Sequence, residues 1–274
     1  MTKIEFDAAV ACLKEKKDYS FDDLLLLMQT LRSPFGCPWD REQSHKSIRA
    51  DLISETYELA EAIDLDDTKL LREETGDVLL QAVFHTQISA DEGRYGMQDV
   101  INELCEKLIV RHPHVFGDVN VSGSGEVLKN WEAIKSKTKG RNTVGDKMKS
   151  VPKTLPALMR ADSVGNKSKK ANFDFTTPED AAAKVREELE EVLTADGDQV
   201  SEEIGDLLFS VVNLARTLHV EPEEALTRST DKFVSRFCKL EEQALLIGTP
   251  LAQMDACQAD EIWEKIKAKR EKNN

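Results

Sequence analysis

Basic charge, aromatic residues and long apolar runs are all scarce in this sequence of 274 residues. Phe, Trp and Tyr make up 6% of the chain, and acidic residues outnumber basic ones 51 to 37, for a formal net charge of −14. A chain this acidic argues against broad nucleic-acid binding, which depends on a basic face. The acidity fits either a solvated surface or sites that hold divalent cations, and composition leaves both open.

Membrane-spanning and disulfide signals are also missing. The only compact apolar run, Leu24–Leu27, is far too short to cross a bilayer, so no membrane partner is expected. Five scattered cysteines form no CxxC pair, which is typical of reduced cytosolic thiols rather than of a disulfide framework or a zinc site. The N-terminal segment is too charged for a signal peptide. We therefore expect a cytoplasmic protein.

Strand-like alternation is rare, whereas helix-period patterns are common. Apolar residues recur at i, i+4, i+7 and i+8 from Val185, and at i, i+3, i+4 and i+7 from Ile204. Pro178 and Pro222 suit the first turn of a helix. The sequence predicts an all-α protein of packed helical bundles, with helices at about 20–32, 48–64, 68–91, 97–111, 125–137, 155–169, 178–195, 199–218, 222–246 and 256–271.

Four motifs occur twice, in the same order and with the same internal spacing: ExxE, ExxD, KxxxR and WxxxK. They start at Glu55, Glu74, Lys107 and Trp131 in the first half, and at Glu188, Glu203, Lys232 and Trp263 in the second. An aromatic–acid pair precedes each set, Trp39-Asp40 and Phe173-Asp174. This order predicts two copies of one helical unit.

We therefore divide the chain into an N-terminal lead (1–19), a first domain (20–137), a linker (138–154) and a second domain (155–274). The Lys- and Gly-rich linker is expected to be a solvated tether, although its charge could attract a phosphate.

The carboxylates of the repeat are spaced to converge. Residues three apart lie on one side of a helix, so Glu188 points with Glu191, and Glu203 with Asp206. If the two helices pack antiparallel, four acids meet at their seam. Each like-charge pair about 6 Å apart costs roughly 3 kcal/mol at an effective dielectric near 20, so protonation or a cation must relieve it. Oxygen-only ligands favour Mg²⁺, with Mn²⁺ as a substitute. The corresponding candidate ligands in the first domain are Glu55, Glu58, Glu74 and Asp77.

Two glycines interrupt these helices, Gly76 beside Asp77 and Gly205 beside Asp206. Glycine in a helix interior costs about 1 kcal/mol relative to alanine. We interpret both as positions where backbone or a partner helix approaches closely.

The basic and aromatic motifs extend the site. Lys232 and Arg236 lie one helical turn apart and are predicted to neutralise phosphate oxygens, while Trp263 and Lys267 add a ring and a further cation. Together with a cation held by carboxylates they indicate a nucleotide polyphosphate site. The sequence contains neither GxxxxGK[ST] nor GxGxxG, so this would be neither a P-loop nor a Rossmann site.

Longer stretches carry a family resemblance. The sequence resembles the MazG family of nucleoside triphosphate pyrophosphohydrolases, in its tandem two-domain bacterial form, over about residues 20 to 270. The resemblance rests on GCPWDREQSH (36–45), ETYEL (55–59), EETGDVLLQ (73–81), KLIVRHPHVFGD (107–118), NWEAIK (130–135), LPALMRAD (155–162), NFDF (172–175), EELEEV (187–192), EEIGDLLFSVVNLAR (202–216) and DKFVSRF (231–237).

This resemblance implies two tandem bundles of the all-α NTP pyrophosphatase type, assembled as a homodimer. It implies Mg²⁺-dependent cleavage of NTPs or dNTPs of broad base range at the α–β phosphate bond, giving a nucleoside monophosphate and pyrophosphate. The second domain would be catalytic and the first structural or weakly active.

Site residues carry over by motif. Glu188, Glu191, Glu203 and Asp206 would bind the metal and, with Lys232 and Arg236, form the catalytic set. Substrate contacts would come from Lys184, Glu187, Glu202, Trp263, Lys267, Phe173 and Phe175. Two positions depart from the family pattern: Gln199 stands where a basic residue is expected, and Phe175 stands where relatives often have Trp.

Two other interpretations stay open. One is a non-catalytic helical protein that binds a nucleotide or metal and uses the repeat for dimerisation. The other is a di-iron carboxylate protein, which needs Glu-x-x-His on two helices. Glu42-x-x-His45 is the single match to that pattern.

Overall fold

The chain folds into helices alone over the part described by the computed structural model, which comprises residues 1–138, 140 and 143–271, with side chains to residue 268. No strand occurs among these residues, and the all-α prediction is confirmed. Residues 139, 141 and 142 of the predicted linker and 272–274 of the predicted second domain lie outside the described residues. The chain divides into two compact units, Met1–Lys135 and Ser136–Asn274.

The first unit is organised around a helical hairpin. Its central pair, α4 and α5, is joined by three residues, and α2 and α6 pack on α5. A core of Met28, Ile48, Val83, Phe84 and Ile88 forms where α2 and the turn before α4 meet α5. The helices are α1 (Lys3–Glu15), α2 (Phe21–Arg32), α3 (Pro38–Glu42), α4 (Arg49–Asp64), α5 (Thr68–Asp91), α6 (Met97–Arg111), α7 (Pro113–Phe116) and α8 (Ser124–Thr138), whose last turn extends into the second unit.

The second unit has a corresponding hairpin, α11 with α12. Helix α10 packs on α12 and α13, α9 packs on α10, and α14 packs on α13. Ala181, Val212, Leu240 and Ala244 are buried in this unit. The helices are α9 (Val144–Lys149), α10 (Ala157–Lys169), α11 (Pro178–Thr194), α12 (Gln199–Thr217), α13 (Pro222–Leu246) and α14 (Ala256–Glu271), with a 3-10 turn at Leu251–Gln253.

Helix starts follow local sequence chemistry. Helix α11 begins at Pro178, and the Thr177 hydroxyl accepts a hydrogen bond from the Asp180 backbone N–H in a capping box. Helix α13 begins at Pro222 as predicted. The sequence did not indicate α1, α3, α7 or α9, because their segments are short or lack a clear apolar period. Two of these begin at capping boxes, with Thr2 before α1 and Thr143 before α9.

No helix among the described residues combines the length and the apolar character needed to cross a membrane.

Candidate metal site and adjoining cavity

Three carboxylates converge at the seam between α11 and α12. Glu188, Glu203 and Asp206 each offer an oxygen atom, and these atoms all lie within 4.8 Å of one another. Glu188 is 4% exposed, Glu203 is half-buried and Asp206 is exposed. The structure therefore brings together three of the four acids that the spacing placed at this seam.

Only one of the two Glu188 oxygens is satisfied. Lys184, one turn earlier on α11, places its Nζ 2.5 Å from Glu188 Oε1 and 2.7 Å from Glu187 Oε1. These hydrogen bonds, to Glu187 first and then to Glu188, raise the pKa of Lys184. Glu188 Oε2 is buried without a hydrogen-bond partner. A buried carboxylate oxygen without a donor is costly, and a bound cation would satisfy it.

Glu191 lies outside that group of three but interacts with it. The adjacent Glu188 carboxylate is the main cause that raises the pKa of Glu191, and partial loss of water contact and the charge of Glu203 raise it further. The cluster therefore resists carrying its full negative charge. A set of carboxylate oxygens with one buried and unsatisfied atom fits a small, hard divalent cation.

A cavity of about 430 Å³ opens beside this cluster. Its size falls within the usual range for small-molecule sites, roughly 300–1,000 Å³. Lys184, Glu188 and Asp206 stand at its charged side. The rest of its lining comes from α9, α10, the 172–175 segment and α12: Met148, Val164, Gly165, Ser168, Asn172, Phe173, Asp174, Phe175, Phe209, Ser210, Asn213 and Arg216.

A buried ion pair forms one wall of the cavity. Arg216 Nη1 donates to Asp174 Oδ2 at 2.8 Å, and Nη2 donates to Asp174 Oδ1. Nη2 also donates to Asn213 Oδ1 at 3.0 Å. The hydrogen bond with Arg216 lowers the pKa of Asp174, which keeps that carboxylate ionised.

Gly165 allows α10 to approach this wall. A Cβ atom on Gly165 would lie 2.8 Å from Arg216 Nε and 3.0 Å from Asn213 Oδ1, closer than side-chain carbons normally come. Glycine is therefore required here by the close approach of α10 to α12.

The predicted site residues are not all gathered in one place. Phe173, 80% exposed, and Phe175 line the cavity with the acids. Glu187 contacts Lys184, and Glu202 is exposed on α12.

Four further predicted residues do not line this cavity, namely Lys232 and Arg236 on α13, and Trp263 and Lys267 on α14. The rings of Trp263 and Phe233 pack with centroids 5.3 Å apart, and Lys267 pairs with Glu264. Arg236 lines a separate groove between α13 and α14. The substrate contacts predicted for these four residues stay a prediction.

The first unit has its own carboxylate cluster. Oxygens of Glu55, Glu58 and Glu74 lie within 4.8 Å of one another, and Asp77 is not in that group. Burial, followed by the charges of neighbouring acids including Asp77, raises the pKa of Glu55 and of Glu74.

In the first unit, core side chains stand at two positions whose equivalents line the cavity of the second unit. Glu74 corresponds to Glu203 in the repeat, so Phe84 corresponds to Asn213 and Leu80 to Phe209. Phe84 is buried in the core against Met28, and Leu80 packs against the same core. Apolar side chains thus occupy positions that line the cavity in the second unit.

Sequence reasoning missed the residues that shape the cavity wall. Asp174, Asn213 and Arg216 fall inside the quoted stretches NFDF and EEIGDLLFSVVNLAR but received no role. Gly165 carried one signal, a glycine inside a helical segment. The same signal was misleading elsewhere. Apart from the adjoining backbone of the same helix, no described atom would come within 4 Å of a Cβ at Gly76 or Gly205, so the close approach predicted there is wrong within this chain.

The structure offers no support for a di-iron site. His45 Nδ1 lies 2.8 Å from His85 Nδ1, and its Nε2 lies 3.1 Å from Ser89 Oγ. Both ring nitrogens of His45 are therefore engaged. Neither acidic cluster found in the described chain includes a histidine.

Comparisons with known proteins agree with the repeat. A family model described as the MazG nucleotide pyrophosphohydrolase domain matches residues 43–116 and 176–239. The nucleoside triphosphate pyrophosphohydrolase/pyrophosphatase MazG of Thermotoga maritima is 46% identical over 248 residues, covering 90% of this chain and 95% of that protein. The nucleoside triphosphate pyrophosphohydrolase of Escherichia coli K12 is 39% identical over 253 residues, 90% of this chain and 96% of that protein. YabN of Bacillus subtilis, an uncharacterized protein, is 42% identical over 262 residues, 93% of this chain and 53% of that protein. This chain, with its two matching domains, therefore belongs to the MazG nucleotide pyrophosphohydrolase family.

Proposed function

We propose that this protein hydrolyses nucleoside and deoxynucleoside triphosphates of a range of bases at the α–β phosphate bond. The products are a nucleoside monophosphate and pyrophosphate, and the reaction takes place in the second unit. The observation that carries this proposal is the convergence of three carboxylate oxygens within 4.8 Å at the charged side of a cavity of about 430 Å³. The names of the Thermotoga and Escherichia relatives support it.

The site fits Mg²⁺, with Mn²⁺ as a substitute. Its donors are carboxylate oxygens, which are hard ligands, and the buried Glu188 Oε2 has no other partner. Glu188, Glu203 and Asp206 would hold the ion, together with Glu191. When bound, the ion supplies charge neutralisation at the phosphates and lowers the pKa of a water molecule.

The chain's own residues bind and orient the substrate. Lys184, held between Glu187 and Glu188, stands at the cavity and is placed to meet a phosphate oxygen. Val164, Phe175 and Phe209 give the cavity apolar surface that suits a flat ring. Lys232, Arg236, Trp263, Lys267 and Glu202 are assigned substrate contacts by family resemblance alone.

We assign a structural role to the first unit. Its acids converge as well, but Phe84 and Leu80 occupy the positions that line the cavity in the second unit. Phe84 is buried in the core, whereas Asn213 at the equivalent position lines the cavity, and this difference supports the assignment.

We further propose a homodimer. Leu189 and Leu193 on α11 and Ile204, Leu208 and Val211 on α12 are exposed large apolar residues on one hairpin. A second copy covering this face would remove that surface from water. A cytoplasmic location stays a prediction from the sequence.

A product assay with matched variants tests the main proposal. Asp206→Asn removes one ligand charge with little change in shape, and we expect pyrophosphate release from NTPs to fall by about 100-fold or more. Asp77→Asn makes the equivalent change in the first unit, where we expect most of the turnover to remain. Nucleoside diphosphate and phosphate as products, or full turnover by Asp206→Asn, would overturn the proposal.

A further inference from the structure

The cavity extends along one face of α12, away from the acids. Glu203, Asp206, Ser210 and Asn213 recur at i, i+3, i+7 and i+10, which keeps them on one side of the helix. Asn213 lies two turns beyond Asp206, about 10 Å along the helix axis. A ligand whose charged end meets Asp206 therefore has its other end near Asn213.

The orientation of the Asn213 amide is fixed by its neighbours. A guanidinium group has only donors, so the amide atom that faces Arg216 Nη2 must be the carbonyl oxygen Oδ1. Two hydrogen bonds to Asp174 hold the guanidinium in place. The Nδ2 amino group consequently points away from Arg216 and makes no hydrogen bond within the described chain, although it is not a fully buried atom.

This amide is nearly buried and belongs to the cavity lining. Asn213 is 8% exposed, and its neighbours in the lining include Val164, Phe209 and Gly165. Water can reach this donor, but a bound base would exclude that water, and the donor then costs free energy unless the base supplies an acceptor. Bases differ in what they supply: guanine, hypoxanthine, uracil and thymine carry a keto oxygen where adenine and cytosine carry an amino group.

We propose that Asn213 is a specificity-determining residue that reads the base. Its Nδ2 donates to the keto oxygen of guanine, hypoxanthine, uracil or thymine, and it meets the amino group of adenine or cytosine donor to donor. Asp174 and Arg216 are positioning residues, because their hydrogen bonds with each other and with Asn213 fix the amide. The inference rests on the proposed hydrolysis of nucleoside triphosphates. It predicts that triphosphates of all these bases remain substrates, with a preference for those that carry the keto oxygen.

The test uses substrate pairs that exchange the keto and amino groups. With the full chain and Mg²⁺, kcat/KM for pyrophosphate release is measured for ITP against ATP and for UTP against CTP. One unmatched donor corresponds to about a tenfold preference for the keto member of each pair. Asn213→Asp places an acceptor where Nδ2 was, and we expect the preference to reverse. Asn213→Leu removes the donor, and the ratio should approach one.

The positioning residues have their own readout. Asp174→Asn loosens Arg216, so the keto-to-amino ratio should fall even where overall turnover is retained. A role in stability alone would lower activity equally for both members of a pair.

The outcomes separate this inference from the proposed function. Equal kcat/KM within both pairs, or a preference for the amino member, overturns the role of Asn213 while leaving the hydrolysis intact. A ratio that Asn213→Asp does not change also overturns it. Absence of pyrophosphate release from every triphosphate overturns the proposed function instead. If the variants fail to fold, the ratio in the unchanged protein decides.

Discussion

Replacing Gly165 by alanine tests how closely α10 approaches α12. The new Cβ would lie 2.8 Å from Arg216 Nε and 3.0 Å from Asn213 Oδ1. Arg216 cannot yield freely, because Asp174 holds its guanidinium through two hydrogen bonds. Overpacking of this kind costs about 2–3 kcal/mol. Alanine recovers about 1 kcal/mol of helix propensity, which leaves a net loss of about 1–2 kcal/mol.

Gly205→Ala is the matched control, because Gly205 also lies inside a helix, but a Cβ added there would have no described atom within 4 Å apart from the adjoining backbone of its own helix. There the propensity gain stands alone, and we expect stabilisation by about 1 kcal/mol. In thermal unfolding of the second unit, Gly165→Ala should lower the midpoint by about 3–6 °C and Gly205→Ala should raise it by about 3 °C. Equal midpoints for Gly165→Ala and the unchanged protein would refute the packing argument.

Three further predictions concern charge and surface. Asp174→Ala leaves Arg216 buried without its partner and should cost about 3 kcal/mol at pH 7. Because Arg216 lowers the pKa of Asp174, this contribution to stability is present above the ordinary pKa of aspartate and is lost as the pH falls through the lowered value. Calorimetry should therefore show that the difference in the free energy of unfolding between parent and variant becomes smaller in acid. A gap that stays constant with pH would contradict this. Leu208→Asp places a charge on the exposed face of α11 and α12, and sedimentation should show a monomer where the unchanged protein is a dimer; an unchanged mass would exclude this face. Glu74→Gln should stabilise the first unit at pH 7 in EDTA. Burial raises the pKa of Glu74, so the ionised carboxylate lowers the stability of the fold above the raised pKa, and this cost vanishes below the ordinary pKa of glutamate. Equal stability of variant and parent at pH 7 would contradict this.

Much of the fold and the acidic cluster followed from local spacing. Apolar periodicity predicted α11 and α12, and the three-residue spacing within ExxD placed Glu203 and Asp206 on one face. A short connection then made the hairpin the natural arrangement, which brought Glu188 to the same seam. These inferences needed only contacts within a helix or between consecutive helices.

The cavity depended on contacts that spacing does not encode. Arg216 meets Asp174 across 42 positions of sequence, and Gly165 meets both Arg216 and Asn213 from a separate helix. Spacing also failed to locate the basic motifs. It puts Lys232 and Arg236 one turn apart on α13, but it does not indicate that Arg236 lines a groove against α14.

The different filling of two equivalent positions has a consequence for the history of a duplicated chain. Where the second copy has Asn213 beside open space, the first has Phe84 in a closed core. A cavity lowers the stability of the unit that contains it, because the atoms that line the cavity lack packing partners on one side. When a chain carries two copies, only one copy needs an open cavity for substrate. The other copy can fill the equivalent space with side chains and gain stability. In a tandem repeat, one set of residues can therefore keep an open site while the other set keeps a tightly packed core.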